Sequence, residues 1–95
     1  MKKLFLLPSA QTDMDSIWSY TADQWGFNQA DRYIDDLLDA CEALAAGDKQ
    51  GRPFEPRENY FRYTVRSHVI YFHDGGNTMR IVRILHGGMD AIRHL

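Results

Sequence analysis

The strongest constraint on this chain is one apolar stripe. Ala30, Tyr33, Ile34, Leu37, Leu38, Cys41, Leu44 and Ala45 recur at i, i+3, i+4 and i+7, the spacing that puts side chains on one face of an α-helix. It predicts an amphipathic helix of about five turns. The opposite face holds Asp31, Asp35, Asp36, Asp39 and Glu42, with Arg32 the one base spaced to pair with them, so a basic partner would relieve their repulsion. A helix of this kind is stable only when its stripe presses on another apolar surface, and the rest of the chain must supply it.

Upstream, Leu4 to Leu7 reads as a short strand, apolar enough for burial on both faces and stopped by Pro8. A first helix follows, with Ser9 as its expected N-cap. Ala10, Met14, Ile17, Trp18, Thr21 and Trp25 fall on its apolar side, and Gly26 ends it. Two helices joined by one glycine and flanked by strands predict a helical hairpin lying on a sheet. Gly47 and the segment from Asp48 to Arg57, with Gly51, Pro53 and Pro56, read as the one long loop.

From Tyr60 the period drops to two. Phe61, Tyr63 and Val65 alternate with Tyr60, Arg62, Thr64 and Arg66, the pattern of a half-buried strand with an aromatic and cationic outer face. After a turn at Ser67, the run from His68 to His73 predicts a central strand. Asp74-Gly75-Gly76-Asn77 predicts a hairpin turn, and Met79 to His86 a last strand ending at Gly87-Gly88. The order is β-α-α-β-β-β: an α+β fold with a helical hairpin on one face of a mostly antiparallel, twisted sheet, in a single domain spanning 1–95.

Composition narrows the function classes. Apolar residues make up 44% of the chain and charged residues 25%, which excludes a disordered chain. Residues 1–48 carry nine acids against three bases, and residues 49–95 four acids against eight bases, seven of them Arg. The Arg-rich half is suited to an acidic peptide or a nucleic acid, while a solvated acidic helix face is the plainer reading of the other half. One cysteine, Cys41, rules out an internal disulfide. His68 and His73 lie five apart on a strand, hence on opposite faces, so no metal site is expected, nor any cofactor. The apolar run after Lys2-Lys3 is too short for a secretory segment, and a cytoplasmic location without membrane contact is expected.

Arg62, Arg66, Arg80 and Arg83 lie on neighbouring strands and are expected to gather over one patch fit for phosphate or carboxylate. By strict alternation Arg80 and His86 share a face, and Arg83 faces the other way unless the strand bulges. His86 is the histidine placed for acid or base work, since an imidazole titrates close to neutrality. Asp90 could orient it, or could instead cap a turn from Met89 to Arg93. Trp18 and Trp25 read as core or hairpin contacts. Tyr60, Phe61 and Tyr63 could stack on bases or serve the core.

The segments LPSAQTDMDSIWSYTADQWGFNQADRYIDDLLDAC, RPFEPRENYFRYTVRSHVIYF and IVRILHGGMD resemble, in that order and over nearly the whole chain, the ParE toxins of the RelE/ParE superfamily. The resemblance implies the same β-α-α-β-β-β fold and a type II toxin held inactive by a cognate antitoxin, whose disordered C-terminal segment folds over it, in a complex of several chains. It implies DNA gyrase as the target, bound rather than chemically altered, with no sequence-specific DNA contact. Target-binding residues are then expected to be Arg80, Arg83, His86, Met89, Asp90 and Arg93, and antitoxin-binding residues Arg62, Arg66, Trp18, Trp25 and Tyr60. RelE-like relatives cleave mRNA on the ribosome. This chain has no tyrosine after Tyr71 and no lysine after Lys49, so Arg83 and His86, with Arg62, are the residues that could rebuild part of an endonuclease site. A non-toxic binding module is the remaining alternative.

Overall fold

A computed structural model describes residues 1–55 and 57–95. The elements run β1 (Lys3–Leu6), α1 (Pro8–Trp25), α2 (Phe27–Ala46), β2 (Arg52–Pro53), β3 (Tyr60–Val65), β4 (His68–Asp74), β5 (Thr78–His86) and α3 (Ala91–His94). They form the expected α+β arrangement, with a mixed five-stranded sheet in the order β1-β5-β4-β3-β2. β1 pairs with β5 in parallel, and the other three pairings are antiparallel.

The helical hairpin is built as its sequence requires. Gly26, at φ +92°, ends α1 by donating its N–H to the Ala22 carbonyl and opens α2 in the next residue. Trp18 Nε1 donates to Asp31 at 2.9 Å and its ring stacks on Phe27 at 5.6 Å, pinning the two helices together. The α2 stripe buries Ala30, Tyr33, Leu37, Cys41, Leu44 and Ala45. All of these but Ala30 meet Ala10, Met14 and Ile17 of α1 and the inner sheet residues Ile70, Phe72, Met79, Ile81 and Ile84 in one core. Gly47, left-handed at φ +85°, closes α2, and the N–H groups of Asp48 and Lys49 also reach the Ala43 carbonyl.

Four local expectations are corrected. Ser9 does not cap α1; Pro8 occupies its first turn and Leu7 is the cap residue. β1 is an edge strand with alternating exposure, so it is not buried on both faces, and Phe5 is exposed. The long loop contains the two-residue strand β2, where Arg52 and Pro53 pair with Arg62 and Phe61. Trp25 leaves the core altogether, with 74% of its surface exposed.

A second, smaller core sits on the outer face of the sheet. Phe54, Val69, Tyr71 and Leu85 are buried there beneath Tyr60, Ala91 and Leu95. The loop after β2 and the short helix α3 therefore cover half of that face, and the half toward β1 is left open.

Candidate functional site

β5 outruns β1. The last pairing between them is Leu6 with Ile81, and from Val82 onward, among the described residues, the N–H and C=O groups of β5 have no strand neighbour on that side. α1 replaces it with side chains one helical turn apart. Ser9 Oγ donates to the Val82 carbonyl at 2.7 Å, and Asp13 Oδ2 accepts from the Ile84 N–H at 2.9 Å. The same carboxylate takes Arg83 in a two-point ion pair at 2.7 and 2.8 Å. Arg83 also donates to the His94 carbonyl at 3.0 Å, so it is tied to α1 and α3 together. The Asp13 hydrogen bonds hold its guanidinium charge more firmly than usual.

This anchoring coincides with a bulge. Phe72 faces Ile81 whereas Tyr71 faces Arg83, so Val82 is the extra residue. The slip reverses the alternation beyond it, and His86 lands opposite His68 on the helix side while Arg80 stays opposite His73 on the outer side. The two imidazoles of His68 and His86 meet edge to face at 5.7 Å. His68 Nδ1 lies 2.5 Å from the Tyr33 hydroxyl. Burial, and then the neighbouring His86, push the His68 imidazole below its ordinary range, and burial raises the Tyr33 phenol. A neutral imidazole accepts from the Tyr33 hydroxyl at Nδ1 in one tautomer and donates to it in the other, where the hydroxyl has the Val65 carbonyl at 3.4 Å to donate to. His86 Nδ1 accepts from the Gly88 N–H at 3.3 Å.

Arg66 completes the rim. It adopts a left-handed φ of +52° in the two-residue turn between β3 and β4. That conformation carries its guanidinium to the helix side, onto Asp36 at 2.6 Å and over the Tyr33 ring. The result is a cleft of about 690 Å³ between the hairpin and the ends of β4 and β5, lined among others by Tyr20, Trp25, Tyr33, Arg66, His86 and Met89.

The expected residues thus divide between surfaces. Trp25, Arg66, Arg83, His86 and Met89 come together in the cleft. Arg62, Tyr60 and Arg80 lie across the sheet on its outer face, so the four arginines do not form one patch: the left-handed turn removes Arg66 and the Asp13 pair draws off Arg83. Asp90 caps α3 by accepting from the Ile92 N–H and pairs loosely with Arg93 at 3.6 Å, while His86 is held by Gly88. Trp18 is the hairpin contact already described.

Nothing in the sequence pattern marks Asp13, Tyr33 or His68 as site residues. Hairpin counting from the turn puts His68 opposite Leu85, and only the bulge brings it to His86. Among the described residues no group of three or more His, Cys, Asp or Glu is placed to hold a metal ion, and no helix is long and apolar enough to cross a membrane.

The comparisons with known proteins agree on one family. The family described as "ParE toxin of type II toxin-antitoxin system, parDE" matches residues 4–91. Toxin ParE1 of Mycobacterium tuberculosis (strain H37Rv) is 36% identical over 95 residues, covering 98% of this chain and 97% of the relative. Toxin ParE1 of Caulobacter vibrioides is 36% identical over 96 residues, covering 100% and 99%. The fold is similar to that of a chain in a structure titled "Chromosomal ParDE TA system from P. aeruginosa", with a TM-score of 0.78 at 23% identity over 90% of this chain and 96% of that one. The chain belongs to the ParE toxin family of type II toxin–antitoxin systems.

Proposed function

We propose that this toxin acts by binding DNA gyrase, holding a cleaved-DNA state and so blocking replication, and that a cognate antitoxin neutralises it by occupying the cleft beside the helical hairpin. The observation that carries the target reading is the way the terminal segment is presented. Ala91 and Leu95 seat it on Val69, Tyr71 and Leu85. Arg83 and Arg57 hold the carbonyls of His94 and Leu95. Met89, Ile92 and Arg93 are left exposed on this fixed support. A binding toxin needs such a preorganised projection, because only a difference in affinity between target states can shift their populations, and about 3 kcal/mol suffices for more than a hundredfold.

The antitoxin reading rests on the cleft. It has apolar walls in Tyr20, Trp25 and Met89 and a cationic rim at Arg66, which suits an acidic, partly helical segment that folds as it binds.

Ribosome-dependent mRNA cleavage is the second reading, and the paired imidazoles of His68 and His86 favour it. Against it, Arg83 is committed to Asp13 and the His94 carbonyl, leaving less cationic charge free for a phosphate. Purified gyrase with plasmid, ATP and this protein separates the two. The expected result is lost supercoiling, with linear DNA released after detergent and protease. Unimpaired supercoiling by a folded, toxic preparation would overturn the gyrase reading and direct work to cleavage of ribosome-bound mRNA.

A further inference from the structure

The outer sheet face carries a second arrangement, separate from the cleft and running from the margin of the Phe54–Leu85 cluster at β2 and β3 across to the open half toward β1. Across the strands runs one row of Tyr60, His73, Arg80 and Phe5, each directly opposite the next. The adjoining row begins with Arg52 opposite Arg62. Among the described residues, the ion pairs of the molecule are Lys2 with Asp74, Arg66 with Asp36, Arg83 with Asp13 and Arg93 with Asp90, and none involves Arg52, Arg62 or Arg80. All three guanidinium side chains belong to exposed residues. Two like charges directly opposite each other in a ladder destabilise the sheet that bears them, so the Arg52–Arg62 charge pair adds nothing favourable to this pairing.

Aromatic rings stand beside these charges: Phe5 is exposed, while Tyr60 and His73 are half-buried, their rings tilted 57° to each other and Arg57 lying over Tyr60. Tyr60 and His73 sit 5.1 Å apart, Phe5 is 39% exposed, and Lys3 lies over the Phe5 ring at 5.5 Å. Strands are about 4.8 Å apart and residues rise about 3.4 Å along them. Arg80, two strands from Arg62 and two residues along, therefore stands roughly 12 Å from it, with Tyr60 and His73 between them and Phe5 beyond Arg80.

We propose that this face binds single-stranded nucleic acid through its backbone, with Arg52, Arg62 and Arg80 on phosphates of the strand and Tyr60, His73 and Phe5 beside the bases. Guanidinium forks match phosphate oxygens, and aromatic rings accept any base because every base has a π-face. An acidic peptide would neutralise the same arginines but has no use for the rings beside them. The binding is sequence-tolerant, since phosphate contacts and stacking carry it. This activity is independent of the gyrase reading, and either can fail without the other.

Fluorescence anisotropy with a 5′-labelled 16-nucleotide single strand, run in parallel as DNA and as RNA on the full chain, tests it. Saturable binding is expected, with affinity falling as salt rises on a log–log slope of about −2, from roughly 0.7 per phosphate contacted. R62Q and R80Q should each weaken binding several-fold and flatten that slope by about 0.7. R52Q should weaken binding while the melting temperature stays level or rises, because it removes a like-charge pair. A preference for one of the two sugars would identify the natural strand. Absence of binding at 50 mM salt, arginine variants that bind like the parent, or a poly-glutamate peptide of equal charge binding as tightly as the oligonucleotides would overturn the proposal, the last by assigning the face to an acidic protein segment.

Discussion

His68 sits where three elements meet, with Tyr33 of α2 on its Nδ1, His86 of β5 at its ring edge, and the charges of Asp13 and Arg66 from α1 and the β3–β4 turn nearby. Burial lowers its tendency to take a proton below the ordinary 6.5, and His86 acts in the same direction. The sign for stability follows from proton linkage. Above the ordinary value both the folded and the unfolded chain leave this imidazole neutral, and its full contribution is present. As the pH falls through 6.5 the unfolded chain takes up a proton that the folded chain refuses, so stability drops until the folded value is passed. The urea midpoint should therefore fall between pH 7.5 and 5.5, and H68Q should remove that part of the slope. An H68Q variant with the parent's full slope would show that another group is responsible. Asp74, held below its ordinary 3.8 by Lys2 and the Gly76 N–H, acts in the same sense but only as the pH falls toward 3.8, below the range from pH 7.5 to 5.5. Arg66 shows how a single backbone angle decides a surface. Left-handed backbone costs a non-glycine residue about 1–2 kcal/mol, yet it is what carries Arg66 from the expected sheet face to the cleft.

At the scale of elements, legibility tracked how local the cause was. The α2 stripe, the Gly26 and Gly47 helix ends and the Asp74–Asn77 turn depend on neighbours within a few residues, and all are readable from spacing. β2 is not, because two residues of pairing follow from where Phe54 is buried against Tyr71. The β5 bulge is not either, since the groups that hold it, Ser9 and Asp13, lie some seventy residues away. That bulge is why the cleft was only half foreseen: it decides which face His86 joins. α3 was expected as a short turn, but its role as a lid on Val69, Tyr71 and Leu85 required the tertiary structure. This changes the test of the terminal segment. Deleting 87–95 would uncover a buried cluster and cost an estimated few kcal/mol, so lost toxicity would report unfolding. Single substitutions on its exposed side avoid this. M89D and R93E should each change stability by less than about 0.5 kcal/mol while reducing gyrase poisoning. If both keep the parent's potency, the segment is not the contact.

The whole molecule is two layers of opposite character, an acidic helical layer and an arginine-bearing sheet, joined through one continuous core. Its cooperativity can be read at Cys41. The thiol is fully buried between α2 and the sheet residues of that core, and burial pushes its pKa up to about 12. Both conditions suppress the thiolate that reacts with a disulfide reagent. Reaching it requires α2 to leave the sheet, and α2 cannot leave without exposing Leu37 and Leu44 along with the inner faces of β4 and β5. If the layers part only together, labelling of Cys41 by an aromatic disulfide at pH 8 should be slow in the native protein and should accelerate with urea as steeply as global unfolding does. An antitoxin segment seated in the cleft touches both layers, so its binding should slow labelling in proportion to the stability it adds. Labelling that is fast and insensitive to urea would mean that the hairpin opens on its own. The cleft would then be formed only when a partner binds.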